Sequence, residues 1–161
     1  MKLNKKIIFI IAAISSTYSF AGNNWYIHIN NQTNNSVPVT ISPDYGCFYT
    51  NDFVSKTILP NSIDYVYLEE NNDIFSSCSI HPANKFATLL LNKDINQSIE
   101  LNSYYKDEES YRKVGFQGNW EQIEGVQIVD GAQTINVYID YRNDGTIKLT
   151  GYCSTDGPCT E

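Results

Sequence analysis

Apolar residues in this chain recur at every second position, and no stretch of a dozen residues carries a helical stripe, so short strands must build the core. Trp25, Ile27 and Ile29 alternate with Tyr26, His28 and Asn30, and Val37, Val39 and Ile41 alternate with Pro38 and Thr40. The polar run over 30–35 reads as a turn between them. It predicts a hairpin or near-edge pair, with Pro38 turning its missing donor outward. Further strands are expected over 47–50, 54–58, 63–68, 86–91, 98–101, 126–129, 134–140 and 146–149. Residues 86–91 are apolar on both faces and read as a central strand, while Asn143, Asp144 and Gly145 make the last two strands a hairpin. About ten strands at intervals of roughly 8 to 12 residues describe an all-β fold, a single antiparallel β-sandwich of jelly-roll-like kind.

The opening of the chain follows different rules. Lys2, Lys5 and Lys6 precede an apolar run over 7–14 and a small-residue site ending at Ala21, the layout of a secretory signal peptide cleaved after Ala21. The expected organisation is a signal peptide over 1–21 and one sandwich domain over 22–161. The apolar run falls far short of the roughly 20 residues that cross a bilayer, and no later segment approaches that length, so no transmembrane segment is expected. The destination is the periplasm or the medium. Of 161 residues, 11 are basic and 18 acidic, for a net charge of −7; the leader takes three lysines and no carboxylate, leaving 140 residues at −10. Such an excess repels nucleic-acid phosphates and anionic lipid headgroups, which excludes a general electrostatic role on either.

An even number of cysteines in an exported chain argues for disulfides. Cys47, Cys78, Cys153 and Cys159 allow three pairings. The turn residues Asp156, Gly157 and Pro158 favour Cys153 with Cys159, leaving Cys47 with Cys78. Cys78 and His81 have the two-residue gap of a zinc half-site, but no second ligand pair follows and an oxidising compartment competes for the thiols, so no metal is expected.

Catalytic signatures fail one by one. Ser110 and Lys113 match the S-x-x-K spacing of acyl-transfer enzymes without the companion motifs. Gly115 and Gly118 have the G-x-x-G spacing without flanking basic residues. The run 140–145 starts like a calcium loop, but Arg142 takes a ligand position and Gly151 stands where the closing carboxylate belongs. Neither His28 nor His81 has a nucleophile partner placed by spacing. The carboxylates Glu69, Glu70, Asp73, Asp107, Glu108, Glu109, Glu121 and Glu124 read as solubilising charge. The expectation is a domain without catalytic residues, metal or cofactor.

The segment 104–120 interrupts the alternation and reads as a long loop or a single helical turn. It gathers Tyr104, Tyr105, Tyr111, Phe116 and Trp120 beside Arg112, Gln117 and Asn119. Flat faces with hydrogen-bonding tips suit sugar and protein recognition. Tyr104, Tyr105, Tyr111, Arg112, Asn119 and Trp120 are therefore the expected contact residues of a non-enzymatic exported domain that recognises a protein or glycan partner. A second reading starts from Trp25-Tyr-Ile-His-Ile-Asn-Asn-Gln-Thr leading to Val37-Pro-Val-Thr-Ile, which resembles the first hairpin of aegerolysin-like β-sandwich proteins. That resemblance covers about 20 residues and implies a peripheral lipid-binding or pore-assisting role. A third is an exported inhibitor that inserts a loop into an enzyme.

Overall fold

A computed structural model describes residues 23–43, 47–49, 55–71, 85–106, 109–116, 119–127 and 134–154. The expected signal peptide, Cys78, His81 and Cys159 lie outside these residues. In order, the strands are β1 (Asn24–Asn31), β2 (Val37–Pro43), β3 (Phe48–Tyr49), β4 (Ser55–Ile58), β5 (Ser62–Glu70), β6 (Lys85–Leu91), β7 (Ser98–Lys106), β8 (Glu109–Phe116), β9 (Asn119–Gln127), β10 (Thr134–Tyr141) and β11 (Ile147–Ser154), with a 3-10 turn at Ile95–Gln97. They form two sheets. Sheet A has the order β11-β10-β1-β5-β3 and sheet B the order β4-β2-β6-β7-β8-β9.

The period of two explains the packing. On β1 the residues Trp25, Ile27, Ile29 and Asn31 are buried while Asn24, Tyr26, His28 and Asn30 face outward. β10 repeats the pattern with Ile135, Val137 and Ile139, and β5 adds Val66 and Leu68. Sheet B answers with Val37, Val39, Ile41, Ile58, Ala87, Leu89, Leu91, Ile99, Leu101 and Val114, and all of these belong to one continuous core. Truncating the fully buried Trp25 to Ala would cost about 3 to 5 kcal/mol. As expected, β6 is a central strand, and β10 and β11 form a hairpin whose turn places Gly145 at φ 78.

Three expectations need correction. First, β1 and β2 do not pair. They lie in different sheets, β1 between β5 and β10 and β2 between β4 and β6, because both carry a strong inward apolar face and burying each against the other joins the two layers. Pro38 is therefore one strand in from the edge, opposite Thr57 of the short strand β4. Second, the sandwich is not purely antiparallel. β1 runs parallel to β10 from Asn24 beside Thr134 to Asn31 beside Tyr141. Third, 104–120 is neither a loop nor a helical turn: β7, β8 and β9 cross it as an antiparallel meander.

Both described cysteines, Cys47 and Cys153, are disulfide-bonded. Cys47 precedes β3 and Cys153 lies on β11, the two opposite edges of sheet A. Four strand spacings, about 19 Å, separate those edges, far beyond the roughly 7 Å limit of a disulfide.

The buried asparagine Asn31 ties two turns together. Its amide donates to the carbonyls of Asn35 and Leu59 at 2.8 and 2.9 Å, and its oxygen accepts from the Thr33 backbone and hydroxyl at 3.0 and 2.8 Å.

Candidate functional site

Cross-strand register sets the outer face of sheet A. β5 and β10 flank β1, so outward residues line up in rows of three. Tyr67, Tyr26 and Asn136 make one row. Tyr65, His28 and Tyr138 make the next. Beyond them stand Ile63, Asn30 and Asp140 on one side and Glu69, Asn24 and Thr134 on the other. From strand spacing and rise, the grid covers roughly 10 by 20 Å.

Aromatic rings fill its centre. Tyr26 packs against Tyr67 and Tyr65 with centroids 5.0 and 5.4 Å apart and planes tilted by 54°. His28 stacks on Tyr138 at 4.6 Å and 10°, and approaches Tyr65 at 5.9 Å. These contacts hold the rings in place, yet Tyr65, Tyr67 and Tyr138 remain 46%, 39% and 38% exposed. Amides and carboxylates fix the rest. His28 Nε2 is 3.0 Å from Asn136 Oδ1, Asn30 donates to Asp140 at 2.9 Å, and the Tyr67 hydroxyl donates to Asn24 at 2.9 Å. Partial burial, followed by the neighbouring Glu69 charge, pushes the Tyr67 phenol above its ordinary range, which keeps it a neutral donor.

At the edge of this face Lys56 reaches across from β4. Its ammonium donates to Asp64 at 2.6 Å and to the Tyr65 carbonyl at 2.8 Å, and lies 4.8 Å from the Tyr65 ring centroid. The hydrogen bond from Lys56 holds the Asp64 carboxyl below its ordinary value. β3 pairs with β5 only at Glu69 and Glu70, so the Lys56 contact blunts the stretch of β5 edge that β3 does not cover.

The chain matches no protein-family model and no curated protein.

The residues expected to make contact separate into different environments. Tyr104 and Tyr111 face each other across β7 and β8 on the outer side of sheet B, stacked at 5.2 Å, with Lys113 5.2 Å from the Tyr104 ring. Trp120 is 41% exposed and folds over Gly115, where any Cβ would stand 3.0 Å from the indole. Its ring also reaches Phe86, 5.8 Å away. The backbones of Tyr105 and Asn119 lie in β7 and β9, and their side chains fall outside the described residues.

Arg112 requires a correction, because it is buried and faces the core. It serves Glu70, a carboxylate from sheet A inserted between the sheets. Glu70 Oε1 accepts from Trp25 Nε1 at 2.8 Å and from the Ser103 hydroxyl at 2.5 Å, with Arg112 Nε at 3.4 Å. Lys85 Nζ and Asn23 Nδ2 approach Oε2 at 3.4 and 3.3 Å. Burial pushes the Glu70 carboxyl up, but the charges of Arg112 and Lys85 and the hydrogen bonds from Ser103 and Trp25 outweigh it and hold it below the usual range. For Lys85 burial wins over the attraction of Glu70, and its pKa lies below the ordinary lysine value. The cluster pins β1, β5, β6, β7 and β8 together at the end of the sandwich where β1 begins. Among the described residues its hydrogen bonds and ion pairs run between strands of the two sheets and so join them.

The grid on sheet A was missed because β5 is ambiguous when read alone. Ile63, Tyr65 and Tyr67 alternate with Asp64, Val66 and Leu68, so both faces look apolar. Only the pairing with β1 shows that Val66 and Leu68 go inward. The available signal was the set of aromatics on the outward phases of β1 and β10: Tyr26, His28 and Tyr138.

Proposed function

We propose that this protein is an exported, non-enzymatic binding domain, and that it meets a protein or glycan partner through the outer face of sheet A rather than through a loop. The observation that carries this reading is the exposure of Tyr65, Tyr67 and Tyr138 on rings already fixed by Tyr26 and His28. Pre-ordered aromatics with polar tips lose little entropy on binding, and they are the residues on which interfaces depend most. The reading includes export by the leader over 1–21, a jelly-roll-like sandwich and the pairings Cys47 with Cys78 and Cys153 with Cys159. The jelly-roll likeness draws on the chain's alternation between the sheets from β1 to β6. The oxidised state of Cys47 and Cys153 agrees with an oxidising compartment.

Pull-down and glycan-array binding test the face. Replacing Tyr65, Tyr67 and Tyr138 with Ala should remove binding that a Tyr104, Tyr111 and Trp120 triple variant keeps; the opposite pattern would return the contact to sheet B. The lipid-binding alternative has one observation behind it, the exposed apolar pair Leu59 and Ile63 at 63% and 68%. No helix among the described residues is long and apolar enough to cross a membrane. Sedimentation with neutral and sphingolipid-rich vesicles separates this reading from the first.

A further inference from the structure

We propose that the partner of the sheet A face is a protein surface rich in lysine and arginine, an inference that rests on reading this face as the contact surface. Ring geometry argues first. A sugar stacks its C–H face on a free aromatic face, whereas here His28 and Tyr138 lie 10° from parallel against each other and Tyr26 is wedged at 54° between Tyr65 and Tyr67. Each ring gives up part of its surface to a neighbour, so Tyr65, Tyr67 and Tyr138 offer separate small facets of ring face with phenol tips rather than one open platform, a surface for side-chain head groups like that of tyrosine-rich protein interfaces.

Charge argues second. None of the twelve grid positions is Lys or Arg, two are the carboxylates Glu69 and Asp140, and the whole chain carries −7. Basic groups beside the grid include Lys148, opposite Asp140 on β11, Arg142, two residues after Asp140, and Lys56 at the β5 edge.

Lys56 argues third, because it displays the chemistry inside the molecule. One ammonium rests at 4.8 Å from a tyrosine ring while bonded to the Asp64 carboxylate and a backbone carbonyl. A cation from a partner would find the same elements at Tyr67 with Glu69, whose hydroxyl and carboxylate are 3.4 Å apart, and at Tyr138, two residues before Asp140 on the same outward phase. Each such contact is of cation–π strength, and the grid is smaller than one side of a standard interface, so binding belongs to the weak, salt-sensitive class.

The test titrates the oxidised protein with three probes, an Arg-Gly repeat peptide, its Glu-Gly counterpart and a neutral chitohexaose, followed by NMR of the tyrosine and His28 rings. The Arg-Gly peptide should shift Tyr26, His28, Tyr65, Tyr67 and Tyr138, and its binding should weaken severalfold between about 50 and 300 mM salt. Tyr65→Ala with Tyr138→Ala should weaken it about tenfold, while Tyr138→Phe, which keeps the ring, should change it less than about twofold. Thermal unfolding of each variant verifies that the sandwich survives. If the Arg-Gly peptide shifts scattered surface carboxylates and leaves the grid unmoved, or binds the double variant equally, the proposal is overturned. If chitohexaose or the Glu-Gly peptide moves the grid in its place, the face is a binding face and the basic class is wrong. If no probe moves the grid, both readings fall.

Discussion

Replacing Glu70 with Ala should destabilise the sandwich by about 3 to 5 kcal/mol, the range for removing one partner of a buried ion pair. The structure places the change at the upper part of that range. Arg112 and Glu70 are each 2% exposed, and the same carboxylate serves Trp25, Ser103, Lys85 and Asn23. Its loss strands one fully buried guanidinium, a buried indole N–H and a buried hydroxyl. Domains of this size have about 5 to 15 kcal/mol in total, so about a quarter or more of the stability is at stake. Glu70→Gln keeps an acceptor for Trp25 and Ser103 but not the charge, and should cost about 2 to 4 kcal/mol. Urea unfolding of the oxidised protein, followed by tryptophan emission, measures both. The acid limb supplies an independent check. Because the folded pKa of Glu70 lies below its ordinary value of 4.5, its contribution is complete above that value and is lost as pH falls through the folded pKa. Wild type should therefore lose stability below about pH 4.5 more steeply than Glu70→Gln. A cost below about 1 kcal/mol for Glu70→Ala, or parallel acid limbs for wild type and Glu70→Gln, would refute the view that the cluster holds the two sheets together.

Asn31→Ala should cost about 2 to 3 kcal/mol in the same urea assay, since it leaves the Leu59 and Asn35 carbonyls and Thr33 without their shared partner. Gly115→Ala should push Trp120 off β8 and change its emission, while unfolding shifts by no more than about 1 kcal/mol, because the indole is at the surface and can swing away. Lys56→Ala should expose the free part of the β5 edge, and light scattering should then show concentration-dependent association that wild type lacks.

The strands with one clean inward face were legible from their residues. Trp25, Ile27 and Ile29, the two-faced strand β6, and the Asn143-Asp144-Gly145 turn are found as the pattern requires. The pattern broke down where the core is polar. On β7 and β8 the inward positions include Ser103 and Arg112, chosen to serve Glu70 rather than to exclude water, so the alternation vanishes and a strand meander reads as a charged loop. Pairing between distant strands was equally hidden. Nothing within β1 says that its neighbours are β5 and β10, and the aromatic grid exists only through that pairing.

The parallel pairing of β1 with β10 also carries a kinetic consequence. Contacts such as Asn30 to Asp140 span 110 residues, and β1 is a central strand of sheet A. β1, the earliest of the described strands to be synthesised, therefore holds Trp25, Ile27 and Ile29 ready but lacks one of its two neighbours until the chain 110 residues further on has been delivered. Loop closure of that length precedes any gain from the pairing, which makes folding slow by topology rather than by weak local structure. In the meantime the Trp25 strand is the segment most in need of shielding, and a holding factor that retards collapse of the early chain would raise the yield of folded protein more than one that accelerates the late steps.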